Sequence, residues 1–354
     1  MSINLVLPFL LLSVATSSII SQSKALRFPT EIYNFSSNNI TVIANPGTPP
    51  QSVPVSPSPS PTEPPISPPM VPALFVIGDS SVDCGNNNYL GTFARADHPP
   101  YGRDFDTHRP TGRFCNGRIP VDYLALRLGL PFVPSYLGQA GRIEDMVRGV
   151  NYASAGAGII FSSGSELGQH ISFTQQIQQF TDTIQQFILS MGEDRANELI
   201  SNSVLYVSIG INDYIHYYLF NVSNVQNLYL PWSFNQFLAS TMRQEIKGVA
   251  DLENLMKQNL YNLNVRRVVV MGLAPIGCAP HYLWQFNSTN GECVKEINDM
   301  ILEFNFLMRF MTVDLNHELP DANIIFCDVF EGSMDIIKNH ERYGKIVSSI
   351  LSDI

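Results

Sequence analysis

Three short stretches of the chain carry groups suited to acyl transfer. The first, Gly78-Asp79-Ser80, follows the apolar run Ala73–Ile77. A serine directly after a buried strand, beside a glycine that permits a sharp turn, can present its hydroxyl as a nucleophile, although the surroundings are not a Gly-x-Ser-x-Gly elbow. The second, Ser154-Ala155-Gly156-Ala157-Gly158, follows a weaker apolar run. Glycines there let backbone N–H groups approach a ligand closely, as an oxyanion hole requires. The third, Gly210-Ile211-Asn212-Asp213, follows Val204–Ile209, and the Asn212 amide is a second candidate donor. Each stretch alone has an ordinary explanation, a tight turn or a helix N-cap. Three in order, each after its own strand, favour chemistry.

The elements that would position them alternate in type. Ala73–Ile77, Val150–Ala155, Val204–Ile209, Val265–Met271 and Asn323–Cys327 read as strands, short and rich in β-branched residues. Pro120–Leu128, Ile171–Leu189, Trp232–Leu263 and Val294–Glu318 read as helices, with Ile171, Ile177, Phe180, Ile184 and Phe187 close to one stripe. Alternation of this kind predicts an α/β fold: a three-layer α/β/α sandwich around a parallel sheet of about five strands. Ligands of such sheets bind at the carboxyl ends of the strands, where all three stretches fall.

Of 354 residues, 45% are hydrophobic and 15% charged, a globular balance, and the net charge of -10 argues against nucleic acid as a partner. Leu5–Ile20 is uncharged and largely apolar, and small residues follow to Ala25, which predicts a signal peptide over residues 1–25 and a secreted, extracellular protein. That run is short for a membrane span and no later one is longer, so no integral span is expected. Residues 26–71 form a Pro/Ser-rich leader that includes Ser56-Pro57-Ser58-Pro59-Ser60-Pro61, a composition that favours extended structure without a core. It reads as a spacer, with cell-wall association as the sharper alternative. Asn34, Asn39, Asn221 and Asn287 open glycosylation sequons. Of the five cysteines, Cys278 and Cys293 close a short loop, Cys84 and Cys115 are a second candidate pair, and Cys327 is left over. No cysteine or histidine spacing fits zinc, so no metal is expected.

Phe75–Asp83, Tyr101–Phe105, Thr111–Phe114, Asn151–Gly158, Gly210–Asp213 and Leu273–Cys278 together resemble the plant GDSL esterase/lipase family of the SGNH hydrolase superfamily, over roughly residues 72 to 345. The resemblance implies the SGNH/GDSL hydrolase fold and hydrolysis of ester bonds in acyl lipids or small esters, with no cofactor. It assigns Ser80 as nucleophile and Gly158 and Asn212 to the oxyanion hole beside the Ser80 N–H, with Gly156 close enough to compete with Gly158. Asp79 is expected to shape the turn.

The family also has an Asp-x-x-His block after its last strand. Here residues 346–354 diverge and the block is absent, which implies a GDSL domain lacking its C-terminal part. The partner of Cys327 would lie in that part. Asp314-Leu315-Asn316-His317 has the spacing but falls in an amphipathic helix before the last strand, and the other histidines read as surface or loop residues. Loss of the histidine base costs a serine hydrolase on the order of 10⁶ in turnover. The alternative to a secreted ester hydrolase is therefore a catalytically dead form acting as a secreted or wall-associated binding protein.

Overall fold

The computed structural model describes residues 68–139, 141–220, 224–247 and 260–343. The predicted signal peptide, nearly all of the Pro/Ser leader, the sequons at Asn34, Asn39 and Asn221, and the divergent tail lie outside these residues.

Four parallel strands form one sheet in sequential order: β1 Leu74–Gly78, β2 Val204–Ser208, β3 Arg267–Met271 and β4 Asn323–Cys327. The helices of eight residues or more are α1 Pro120–Arg127, α2 Phe173–Met191, α3 Glu193–Asn202, α4 Pro231–Lys247, α5 Lys295–Glu318 and α6 Val329–Lys338. Helix α2 starts at a capping box in which Ser172 and Gln175 satisfy each other's backbone amides. The whole predicted stripe of α2, Ile177, Phe180, Ile184 and Phe187, is buried, together with Ile171 just before it.

Strand periodicity divides these helices between two layers. Phe75, Ile77, Leu205, Val207, Val268, Val270 and Ile324 face the larger core, built with α2 to α5. Leu74, Val76 and Tyr206 face a smaller core with Val121 and Ala125 of α1. The α/β/α sandwich is therefore present, with one thick and one thin helical layer.

The expected fifth strand, Val150–Ala155, is the exception. It pairs with the outer edge of β1, where Val76 N donates to Val150 O and Tyr152 N to Val76 O, but only Asn151 forms a bridge. The Ala153 N–H folds back onto Asn151 Oδ1 at 2.9 Å, a local turn that competes with the ladder. The far edge of Asn151 is taken by Pro134 O and the Tyr136 N–H.

Candidate active site

Ser80 is the second residue past the end of β1 and half-buried. Its turn is compulsory at two points. A side chain at Gly78 would meet Val82 Cγ2 at 2.4 Å and Ser208 O at 2.5 Å. Asp79 is buried, and its Oδ1 accepts the Ser81 N–H at 2.9 Å while its carbonyl accepts those of Val82 and Asp83. Asp79 thus shapes the turn. Burial, with Asp213 adding repulsion, pushes its carboxyl up to about 7.

Two ties bring the turn to its neighbours. The Asp79 N–H donates to Ser208 O, and the hydroxyls of Ser81 and Ser208 lie 3.0 Å apart, which joins it to the end of β2. Asp83, fully buried, accepts the N–H groups of Gly85 and Asn86 on Oδ1 and that of Ala155 on Oδ2. That carboxylate clamps the turn to the glycine-rich loop, and burial raises it to about 6. Asn86 Nδ2 donates to Asn151 O and Ala153 O, while Asn87 Nδ2 donates to Ala94 O and Ala155 O.

Asn212 follows β2 and is buried, and its Nδ2 donates to Ala157 O at 2.8 Å. It therefore sits against the loop between Gly156 and Gly158. Asp213, next in sequence, opens a π-helical turn over Asp213–Tyr218 and accepts the Ile159 N–H, the Ile160 N–H and the Ser163 hydroxyl at 2.6–2.9 Å. Burial raises this carboxyl to about 6. A β-carbon on Gly158 would lie 2.6 Å from Asp213 Oδ1, so only glycine fits there. Gly156 has φ +91° and more open surroundings, its nearest neighbour being Leu167 at 3.5 Å. Among the described residues, the amides of Ser80, Gly156 and Gly158 donate to no protein acceptor.

Several of the expectations need correcting or refining. His216 is not a surface residue. It is buried on the π-helical turn, with Nδ1 against Glu166 of the 3-10 turn Ser165–Leu167. A π-turn leaves no periodic signal in a sequence. Cys84 and Cys115 are both buried and form no disulfide with each other, with Sγ atoms directed at Val133 O and Arg118 O. Cys278–Cys293 is a disulfide. Asp314 and His317 lie on α5, where Asp314 pairs with Arg243 and His317 is exposed, as a solvated face requires. Arg113, from the Thr111–Phe114 stretch, forms a buried two-point ion pair with Asp122 at 2.8 Å, and Asp122 also accepts the Ile119 N–H at the start of α1. That stretch holds α1 in place. Among the described residues no group of three His, Cys, Asp or Glu side chains is placed to hold a metal ion. Nor is any helix long and apolar enough to cross a membrane.

A half-buried serine thus follows the first strand of the parallel sheet and a buried asparagine the second, with the glycine-rich loop held by Asp83 and Asp213. Residues 74–346 match the model of the GDSL-like lipase/acylhydrolase family. "GDSL esterase/lipase 7" of Arabidopsis thaliana is 40% identical over 283 residues, 78% of this chain and 74% of the relative. "GDSL esterase/lipase At1g71691" of the same plant is 39% identical over 274 residues, covering 77% and 67%. The chain belongs to the GDSL lipase/acylhydrolase family, whose chemistry is the hydrolysis of ester bonds.

Proposed function

We propose that the chain is a secreted hydrolase of carboxylic esters, acyl lipids or small esters, in which Ser80 attacks the ester carbonyl. The Ser80 N–H, Gly158 and Asn212 are the oxyanion donors of this reading, with Gly156 as the competitor of Gly158. The observation that carries it is the pair of buried carboxylates on either side of the glycine-rich loop: Asp83 holds Ala155 and Asp213 holds Ile159 and Ile160. Such fixed backbone donors act without reorganising as charge develops on the oxygen. Secretion rests on the apolar run Leu5–Ile20 and the small residues after it. Asn287, exposed in a turn, is open to glycosylation.

A base for Ser80 is the open element. His108 Nδ1 lies on Arg103 O, His170 Nε2 on Phe161 O and His216 Nδ1 on Glu166. Among the described residues no hydrogen bond joins a histidine to Ser80, and this favours the second reading, a secreted or wall-associated binding protein without turnover. Hydrolysis of a short-chain nitrophenyl ester by the purified chain, with Ser80→Ala as control, separates the two. A rate clearly above that of the variant supports catalysis by Ser80 with a surrogate base. Equal rates at background assign this chain to the second reading.

A further inference from the structure

Both tryptophans of the chain, Trp232 and Trp284, stand exposed, at 45% and 79%. So do Leu228 and Leu230, at 77% and 74%. The fold brings the four to one end of the molecule. Trp232 lies in the first turn of α4, with Leu228 and Leu230 just before it, and Trp284 lies in the short helix Pro280–Gln285 between β3 and α5. Helices α4 and α5 each return the chain from the carboxyl end of one parallel strand to the start of the next. Their first turns therefore stand at the carboxyl end of the sheet, the end that carries Ser80. Asn235 of α4 joins the two loops to the site. Its Nδ2 donates to Met300 O of α5 at 2.9 Å, and its Oδ1 accepts the Tyr214 hydroxyl, at 2.6 Å, from the π-turn that follows Asn212. Tyr218 of the same turn donates its hydroxyl to Tyr229 O, between the two leucines.

The sequence around these side chains is free of formal charge. Residues 214–242 and 268–291 contain no Asp, Glu, Lys or Arg. At the other end of α4 and α5 the opposite holds, with Arg243 and Lys247 paired to Glu318. We propose that the uncharged rim docks on the surface of a zwitterionic lipid layer, with Leu228, Leu230, Trp232 and Trp284 entering its outer part. The proposal deepens the ester-hydrolase reading, on which its choice of an acyl-lipid surface as the place of the substrate rests. The docking itself needs no turnover.

Charge and chemistry favour this occupant. A net charge of -10 repels an anionic surface, whereas a rim without charged side chains can approach a zwitterionic one without stripping water from an ion. Tryptophan has an apolar body and one N–H donor, which suits the boundary between acyl chains and headgroups. A second protein is a poorer fit. Four side chains on two loops cannot fill the roughly 800 Å² that each partner contributes to a stable protein interface. In a fluid lipid layer each apolar side chain gains on its own, in proportion to the area it buries.

The two tryptophans report on the docking directly. With phosphatidylcholine vesicles as the probe, their emission is expected to shift to the blue and the full chain to sediment with the vesicles. Replacing both leucines, Leu228→Ser with Leu230→Ser, is expected to weaken vesicle affinity by about tenfold or more. Leu189→Ser is the control and leaves the affinity unchanged. Leu189 is 87% exposed near the end of α2, whereas Gln176 at the start of α2 is bonded to Gly78, so it lies at the opposite end of the sheet. No shift and no sedimentation overturns the proposal. So does an equal loss in Leu189→Ser, or tighter binding to phosphatidylglycerol vesicles than to phosphatidylcholine. A blue shift that grows with protein concentration without vesicles assigns the rim to a second copy of the chain and overturns it as well. Binding is read without turnover, which keeps the two readings apart. A chain that binds vesicles yet hydrolyses no ester upholds the docking and loses the ester-hydrolase reading. One that hydrolyses a soluble ester yet ignores vesicles does the reverse.

Discussion

At β1 both faces of the strand are packed, its outer edge is taken by Val150 to Ser154, and the loops above it are fixed by buried Asp83, Asn86 and Asn87. At β4, three strands away in the same sheet, one face is packed against α5, while Ile325 and Cys327 lie exposed on the other. The Ser80 turn lies at the first of these edges. Side-chain hydrogen bonds and buried charge concentrate where atoms must be held in fixed positions. At the distant edge Asn316 of α5 holds the Ile324 N–H and carbonyl, and apolar packing against α5 does the rest. The polar side carries the greater risk, because a buried charge that loses its partner is costly.

The largest expected effect follows from that risk. Arg113→Ala strands the Asp122 carboxylate, 1% exposed, at the start of α1. A loss of about 3–5 kcal/mol in denaturant-unfolding stability is expected. A loss below about 1 kcal/mol would place the work of holding α1 in its apolar contacts instead.

Packing at the far edge gives a paired test. Ile324→Ala removes a side chain buried against α5 and is expected to cost about 2–4 kcal/mol. Ile325→Ala, one residue on and facing the other way, is expected to cost less than about 1 kcal/mol. Similar losses at both positions would erase the contrast between the faces.

The smallest effect is on pH. Burial raises the carboxyls of Asp79, Asp83 and Asp213 to about 7, 6 and 6, above their unfolded value of 3.8. The folded chain therefore binds protons that the unfolded chain has released. Their contribution to stability is full below the unfolded value and is lost as pH rises through 6 to 7. The melting temperature is expected to fall by several degrees between about pH 5 and pH 8, with a shallower fall in Asp83→Asn. Carboxyls held low by exposed partners, such as Glu318 beside Lys247 and Asp321 beside Tyr261, oppose this only at more acidic pH. A flat profile would mean that the amides around Asp83 fully offset its burial.

Much of this architecture was legible in the residues. Val204–Ile209 and Val265–Met271 announce strands because β-branched runs suit a pleated, buried surface, and β2 and β3 fall inside them. Ser80 and Asn212 follow β1 and β2 as expected, while Gly158 follows a segment that forms only an isolated bridge at Asn151. The network beneath them was not legible. Gly85-Asn86-Asn87-Asn88 reads as a polar loop, yet Asn86 and Asn87 are fully buried and bond to backbone 65 to 68 residues away. Such bonds follow from no period. The available signal was compositional: consecutive amide side chains directly after a buried strand must find partners. The fifth strand failed for a related reason, since a side chain of Asn151 diverts the backbone that an apolar pattern assigned to the ladder.

Gln176 of α2 uses its side-chain amide as a strand would use its backbone. Its Oε1 accepts the Gly78 N–H at 2.8 Å and its Nε2 donates to Gly78 O at 2.9 Å. The last residue of β1 is thereby bonded to a helix 98 positions later. Hydrogen exchange at the Gly78 amide must then follow the opening of α2 rather than the fraying of the sheet. The residue two places before Ser80 keeps time with a helix, and the turn can loosen only when that helix lifts.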